Sequence, residues 1–218
     1  MRGAPVPCDV CAGGWHDTRG LTELGCSHAA RARTYRHDAV VDVVAGLALS
    51  VGGDDALRLR REERVDGDDR RRRPGDIAVS LAGPDGPRTL ADVVVTNGFG
   101  QHLLAESAQS RLAAPLAGHA SKVASWSALV RDVAARTSGA PQQLLALAGD
   151  AQTLFVPLAV STAGVWHPDS LAWLRRLAGF VAVRRGVPLG DFFADVLVRL
   201  SVALVSGNAA VTRAFPVQ

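Results

Sequence analysis

Lysine is almost missing from this chain. Lys122 is the only one among 218 residues, and arginine supplies nearly all the positive charge. Arginine can place charge anywhere on a surface, but it cannot act as the compact, titratable ammonium that a metal site uses, so the surviving lysine stands out. The net charge is only +3, which excludes a general polycation. No apolar run reaches the roughly 18 residues of a membrane span. The opening MRGAPVPCDVC has none of the apolar core of a signal peptide. Cysteine is also scarce, with Cys8, Cys11 and Cys26 all near the N-terminus. An odd, clustered set containing a C-x-x-C pair points to metal ligands rather than disulfides, and so to a reducing compartment, nuclear or cytoplasmic.

What is present divides the chain at residue 37. Residues 1–37 are rich in Cys, His, Gly and Arg and hold too few apolar residues for a core. A segment of this kind folds around zinc, which takes four nitrogen or sulfur ligands in a tetrahedron. Cys8, Cys11 and Cys26 supply three. His28 is the first choice for the fourth, with His16 and His37 as the other candidates. A degenerate segment that holds no metal is the alternative. Residues 38–218 read as a single domain of strands followed and flanked by helices, of α/β or α+β class.

The centre of that domain is RPGDIAVSLAGPDGPRTLADVVVT, residues 73–96. The pattern predicts strands at 77–82 and 93–96 joined by a Gly, Pro and Asp turn. Asp76 and Asp92 then stand at the entrances of the two strands. Neighbouring strands lie about 5 Å apart, so two such carboxylates can converge on one side of a sheet. Converging carboxylates repel unless a proton or a cation lies between them, and hard oxygen ligands suit Mg²⁺ or Mn²⁺. The competing reading makes both residues ordinary turn aspartates. Geometry separates the two, because carboxylates more than about 8 Å apart could not share one ion at ligand distances of about 2.0–2.1 Å.

Around this centre, Ala39–Leu49 predicts a largely buried helix, and Leu57–Val65 a half-exposed strand ending near Glu62 and Glu63. Arg70–Arg73 belongs to a charged loop, either a solvated turn or a phosphate contact beside the site, through Arg72 and Arg73. Residues 102–136 favour helix, with Pro115 and Gly118 expected to split it and Lys122 near the start of the second piece. Gln152–Val160 predicts a buried strand in which Pro157 suggests an edge or a bulge. Pro168–Val183 and Leu189–Gly207 predict two helices packed into the core.

Taken in order, these features resemble one family. A cysteine knuckle is followed by Tyr35-Arg36-His37-Asp38 opening a helix, then glutamates on a strand. Arg73-Pro74-Gly75-Asp76, Asp92-Val93-Val94-Val95-Thr96 and a lysine on the helix beyond come next, with Gly207-Asn208 in the closing helix. The set resembles the C-terminal region of site-specific non-LTR retrotransposon polyproteins, where a zinc knuckle and a restriction-like endonuclease follow the reverse transcriptase. The resemblance implies a PD-(D/E)xK-type nuclease with Asp76 and Asp92 as Mg²⁺ ligands and Glu63, or failing that Glu62, as a further acid. The usual lysine position is occupied by Val94, so the resemblance transfers that role to Lys122. It also implies contacts to DNA, or to element RNA, from Arg31, Arg33, Arg36 and His37, and a reverse transcriptase of the same element as partner. Two other functions compete: a decayed copy that binds nucleic acid without cutting it, and a non-enzymatic structural or interaction domain.

Overall fold

The computed structural model describes residues 6–7, 15–16, 30–50, 57–63, 75–81, 88–99, 103–136 and 153–213. Near the N-terminus, β1 (Val6–Pro7) and β2 (Trp15–His16) pair antiparallel, with Val6 opposite His16. The stretch between them carries Cys8 and Cys11. These two, with Cys26 and His28, lie outside the described residues, as do Arg72 and Arg73.

The main sheet has four strands, β3 (Leu57–Glu63), β4 (Gly75–Leu81), β5 (Arg88–Thr96) and β6 (Thr153–Ser161), lying side by side in that order. The first two pairings are antiparallel, and the β5–β6 pairing is parallel. Parallel neighbours cannot be joined by a tight turn. The chain between β5 and β6 accordingly carries α2 (Leu104–Gln109) and α3 (Ala113–Arg136). A long helix α1 (Ala30–Leu49) precedes the sheet, and α4 (Pro168–Arg185) and α5 (Leu189–Arg213) follow it.

Side chains alternate across a strand, and this alternation sorts the sheet into two faces. Ile77 and Val79 of β4, Val93 of β5, and Leu158 and Val160 of β6 form one core with α1, α4 and α5; Val40, Val44, Leu174, Leu177, Val181 and Leu200 are its largest fully enclosed helical members. Residues of the opposite parity, Asp92 among them, belong to the other face, where α3 lies against β5 and β6. There Gly118 lies directly against Thr96 and Val94, and Trp126 stacks on Phe155 with ring centroids 4.8 Å apart. The mixed α/β architecture therefore has helices on both sides of the sheet.

Pro157 sits on an edge strand, as its lack of an N–H requires. The open edge of β6 is covered by the segment leading into α4. Ser170 Oγ donates to Pro157 O (2.9 Å) and accepts from Ala159 N (3.0 Å), while His167 N donates to Ala159 O (2.9 Å). Covering an edge in this way removes a template for unwanted pairing. Helix α4 is capped at both ends. The His167 ring accepts from Asp169 N, Pro168 opens the first turn, and Gly186 closes the helix at φ 64°.

Three sequence expectations change. Helix α1 begins at Ala30 rather than Ala39, so the boundary expected between residues 37 and 38 falls inside one helix. Strand β5 begins at Arg88, which puts Asp92 in its middle and not at its entrance. Helix α3 runs unbroken through Pro115 and Gly118. Pro115 lies in the first turn, where its missing N–H has no helical partner to lose, and Gly118 is the point where the helix closes onto the sheet.

Candidate active site

Where β4 begins, the ladder with β5 stops at the pair Ile77–Ala91. One step further, the Asp76 side chain takes over from the backbone, and Asp76 Oδ2 accepts from Val93 N at 2.7 Å. The same oxygen is 3.0 Å from His37 Nε2 of α1, whose Nδ1 is 3.0 Å from Asp38 Oδ1. An imidazole held by a carboxylate at each nitrogen favours its charged form. The hydrogen bond to Asp76 is the main reason that the His37 pKa rises to about 9, with Asp38 adding to it and burial opposing.

Asp92, on the next strand, is within hydrogen-bonding reach of Asp76 and is 9% exposed. Its Oδ2 lies 2.8 Å from Lys122 Nζ. Lys122 reaches it because α3 rests on β5 one turn earlier, at Gly118, where a Cβ would collide with Thr96. Burial pushes the Asp92 carboxyl up and the nearby Asp76 charge adds to this, so that despite Lys122 it titrates at about 7. Burial also pushes Asp76 up, but its hydrogen bond to His37 and the donor at Val93 together hold it below the ordinary carboxylate value. Of the two carboxyls, Asp92 thus holds its proton more readily than Asp76, and the pair is flanked by His37 and Lys122.

This donor set fits a hard divalent cation. Two adjacent aspartate carboxylates offer oxygen ligands, and their mutual repulsion is relieved by a cation. Residues far apart in sequence, 37, 76, 92 and 122, meet within one cluster.

No protein-family model matches this chain, and no match is found among curated proteins.

The other candidates fall in different places. The backbone of Glu63 pairs with that of Gly75, the neighbour of Asp76. Arg31 is exposed on the first turns of α1 and Arg33 is half-buried. Arg36 corrects the expectation of a nucleic-acid contact. It is only 3% exposed, and its guanidinium donates to Asn208 Oδ1 at 3.0 Å, while Asn208 Nδ2 donates to Thr162 O at 2.7 Å. Burial, and then Arg33, lower the Arg36 pKa to about 10, as suits a cation built into a helix contact. His37 likewise spends both ring nitrogens on Asp38 and Asp76 and leaves none for zinc. A second group, His119, His167 and Asp169, escaped the sequence reading. Its local signal is His167-Pro168-Asp169, two candidate ligands two positions apart; the approach of His119 is a long-range relation.

Proposed function

We propose that this chain is a divalent-metal-dependent DNA endonuclease with a restriction-endonuclease-like core, of the kind carried by site-specific non-LTR retrotransposons. The observation that carries the reading is the meeting of Asp76, Asp92 and Lys122 from two adjacent strands and the crossover helix. A mixed sheet covered by helices on both faces is consistent with that core.

Asp76 and Asp92 would hold the Mg²⁺ or Mn²⁺ ion, which supplies a Lewis acid for the scissile phosphate and lowers the pKa of an attacking water. The protein does the rest. Val93 N and His37 fix Asp76 in one orientation. Lys122 leaves its ion pair with Asp92 to donate to the water or to charge growing on the phosphate oxygens. Glu63 is the candidate for a further ligand or proton acceptor. Hydrolysis would leave a 5′-phosphate and a 3′-hydroxyl, the end that primes reverse transcription by a partner enzyme of the same element. The cysteine segment, with a structural Zn²⁺ on Cys8, Cys11, Cys26 and His28, and Arg31, Arg33, Arg72 and Arg73 would supply contacts to the DNA or RNA backbone. A DNA substrate makes the nucleus the expected place of action.

Calorimetric titration with Mn²⁺ tests the metal site apart from catalysis. Wild type should bind one Mn²⁺ that Asp92→Asn and Asp76→Asn each weaken at least tenfold. Equal affinity in all three folded proteins would refute the shared site.

A further inference from the structure

On the flank of α3 away from the carboxylate pair, a groove of about 810 Å³ runs between α3, the edge strand β6 and α4. His119 and Asp169 line it, and His167 lies beside them. The rings of His119 and His167 are stacked 3.9 Å apart and tilted by 8°. His119 Nε2 and His167 Nδ1 each lie 3.8 Å from Asp169 Oδ2, and the candidate ligand atoms of the three residues are all within 4.8 Å of one another.

The protonation pattern is set by a hydrogen bond. His167 Nδ1 accepts from Asp169 N at 3.2 Å, so that nitrogen is unprotonated and its lone pair is engaged by the backbone N–H of the residue whose carboxylate lies 3.8 Å away. His167 is buried at 7% exposure, and two charged imidazoles stacked this closely would repel each other. A neutral imidazole beside a carboxylate, with a second imidazole at its face, is a ligand set without a cation at its centre.

We propose that His119, His167 and Asp169 form a transition-metal site of the zinc class, distinct from the Asp76–Asp92 pair, which ties α3 to the start of α4. Nitrogen and carboxylate donors select Zn²⁺ and its neighbours over Mg²⁺. Tetrahedral ligands with bonds of about 2.0–2.1 Å lie about 3.3 Å apart, so the donor pairs must close by about 0.5 Å to about 1.5 Å. Asp169, 73% exposed, is free to swing inwards, and the His119 ring turns out of its stack so that its lone pair converges with that of His167. Zinc then replaces the Asp169 N–H as the partner of His167 Nδ1. Its open position faces the groove, where Phe155, Pro157 and Arg175 form part of the wall, and would take a water or a small anionic ligand.

Zinc content of the full chain, measured with excess Mg²⁺ present to occupy the carboxylate pair, tests this independently of the nuclease reading. His119→Gln and Asp169→Asn should each carry one equivalent of zinc less than wild type, or release it at least tenfold more readily to a chelator. The cysteines are untouched in both variants, so zinc bound by them cancels in the comparison. The Asp169 side chain is 73% exposed, and circular dichroism checks the fold of each variant. Unchanged zinc content and release in folded Asp169→Asn and His119→Gln proteins would overturn the site.

Discussion

Lys122 Nζ sits 2.8 Å from the buried Asp92 carboxyl and favours its charged form. Removing the ammonium leaves Asp92 with burial and the Asp76 charge alone, both of which favour its protonated form. Lys122→Ala is therefore expected to lower nicking by about 10²–10³-fold, the usual effect of deleting an electrostatic donor to the transition state. A supercoiled-plasmid assay under single-turnover conditions measures it, and an effect under threefold would remove Lys122 from the chemistry. The pH dependence has a definite sign. Asp92 titrates at about 7, so a divalent cation competes with a proton below that value, and Mg²⁺ affinity should rise with pH through about 7 and level off above it. Stability of the metal-free protein moves the other way. Asp92 is raised above its ordinary value, so the folded state binds more protons than the unfolded one and loses stability between about pH 4 and 7. His37 is raised from 6.5 to about 9, so its stabilisation is complete below 6.5 and is lost as pH rises through about 9. Melting curves at pH 6 and pH 8.5 should show a lower Tm at the higher pH without Mg²⁺, and a larger Mg²⁺-induced rise there.

At the scale of elements, two glycines set where the helices lie. A Cβ on Gly207 of α5 would come within 2.5–2.7 Å of Arg36 Cγ, Cβ and Cα on α1. The obstruction includes backbone, so Gly207→Ala should force the helices apart and cost about 1–3 kcal/mol, as overpacked cores do. Urea unfolding measures it. Gly118→Ala would lift α3 from Thr96 and Val94 and carry Lys122 away from Asp92, so it should depress nicking more than metal binding. The sequence placed a helix end at Gly207, but the helix runs on to Arg213, and nothing in the sequence told that Asn208 would hold Arg36. That contact joins residues 172 apart, and no local pattern reports it. Strands and core helices were legible because apolar periodicity reports burial directly. Helix ends were less so. Residues 30–38 are polar and look like an extension of the cysteine segment, yet Ala30–Asp38 is helical because Arg36 packs against α5 and His37 against Asp76. Pro115 and Gly118 looked like breakers, but a first-turn position and a close approach accommodate them.

For the whole molecule, the sheet order explains why the site could be anticipated only in outline. Asp76 and Asp92 were readable as a pair because they flank a hairpin, a local relation. The placing of Lys122 needs the crossover that sends α3 over β5 and β6, and His37 needs α1 at the mouth of the sheet; both are long-range relations. Among the described residues no helix is long and apolar enough to cross a membrane. If the cysteine segment grips DNA, Cys8→Ser should weaken DNA binding and flatten its salt dependence while leaving Mn²⁺ affinity at the aspartates unchanged. Unchanged binding in a filter or anisotropy assay would remove that segment from the interface. The most direct test of the central claim is nicking of supercoiled plasmid by the purified chain with Mg²⁺ or Mn²⁺, beside Asp76→Ala and Asp92→Ala. The account predicts metal-dependent nicking in wild type, abolished by a chelator and lost in both variants. Nicking that survives Asp76→Ala, or none at all from folded wild type that binds both DNA and Mn²⁺, would contradict it.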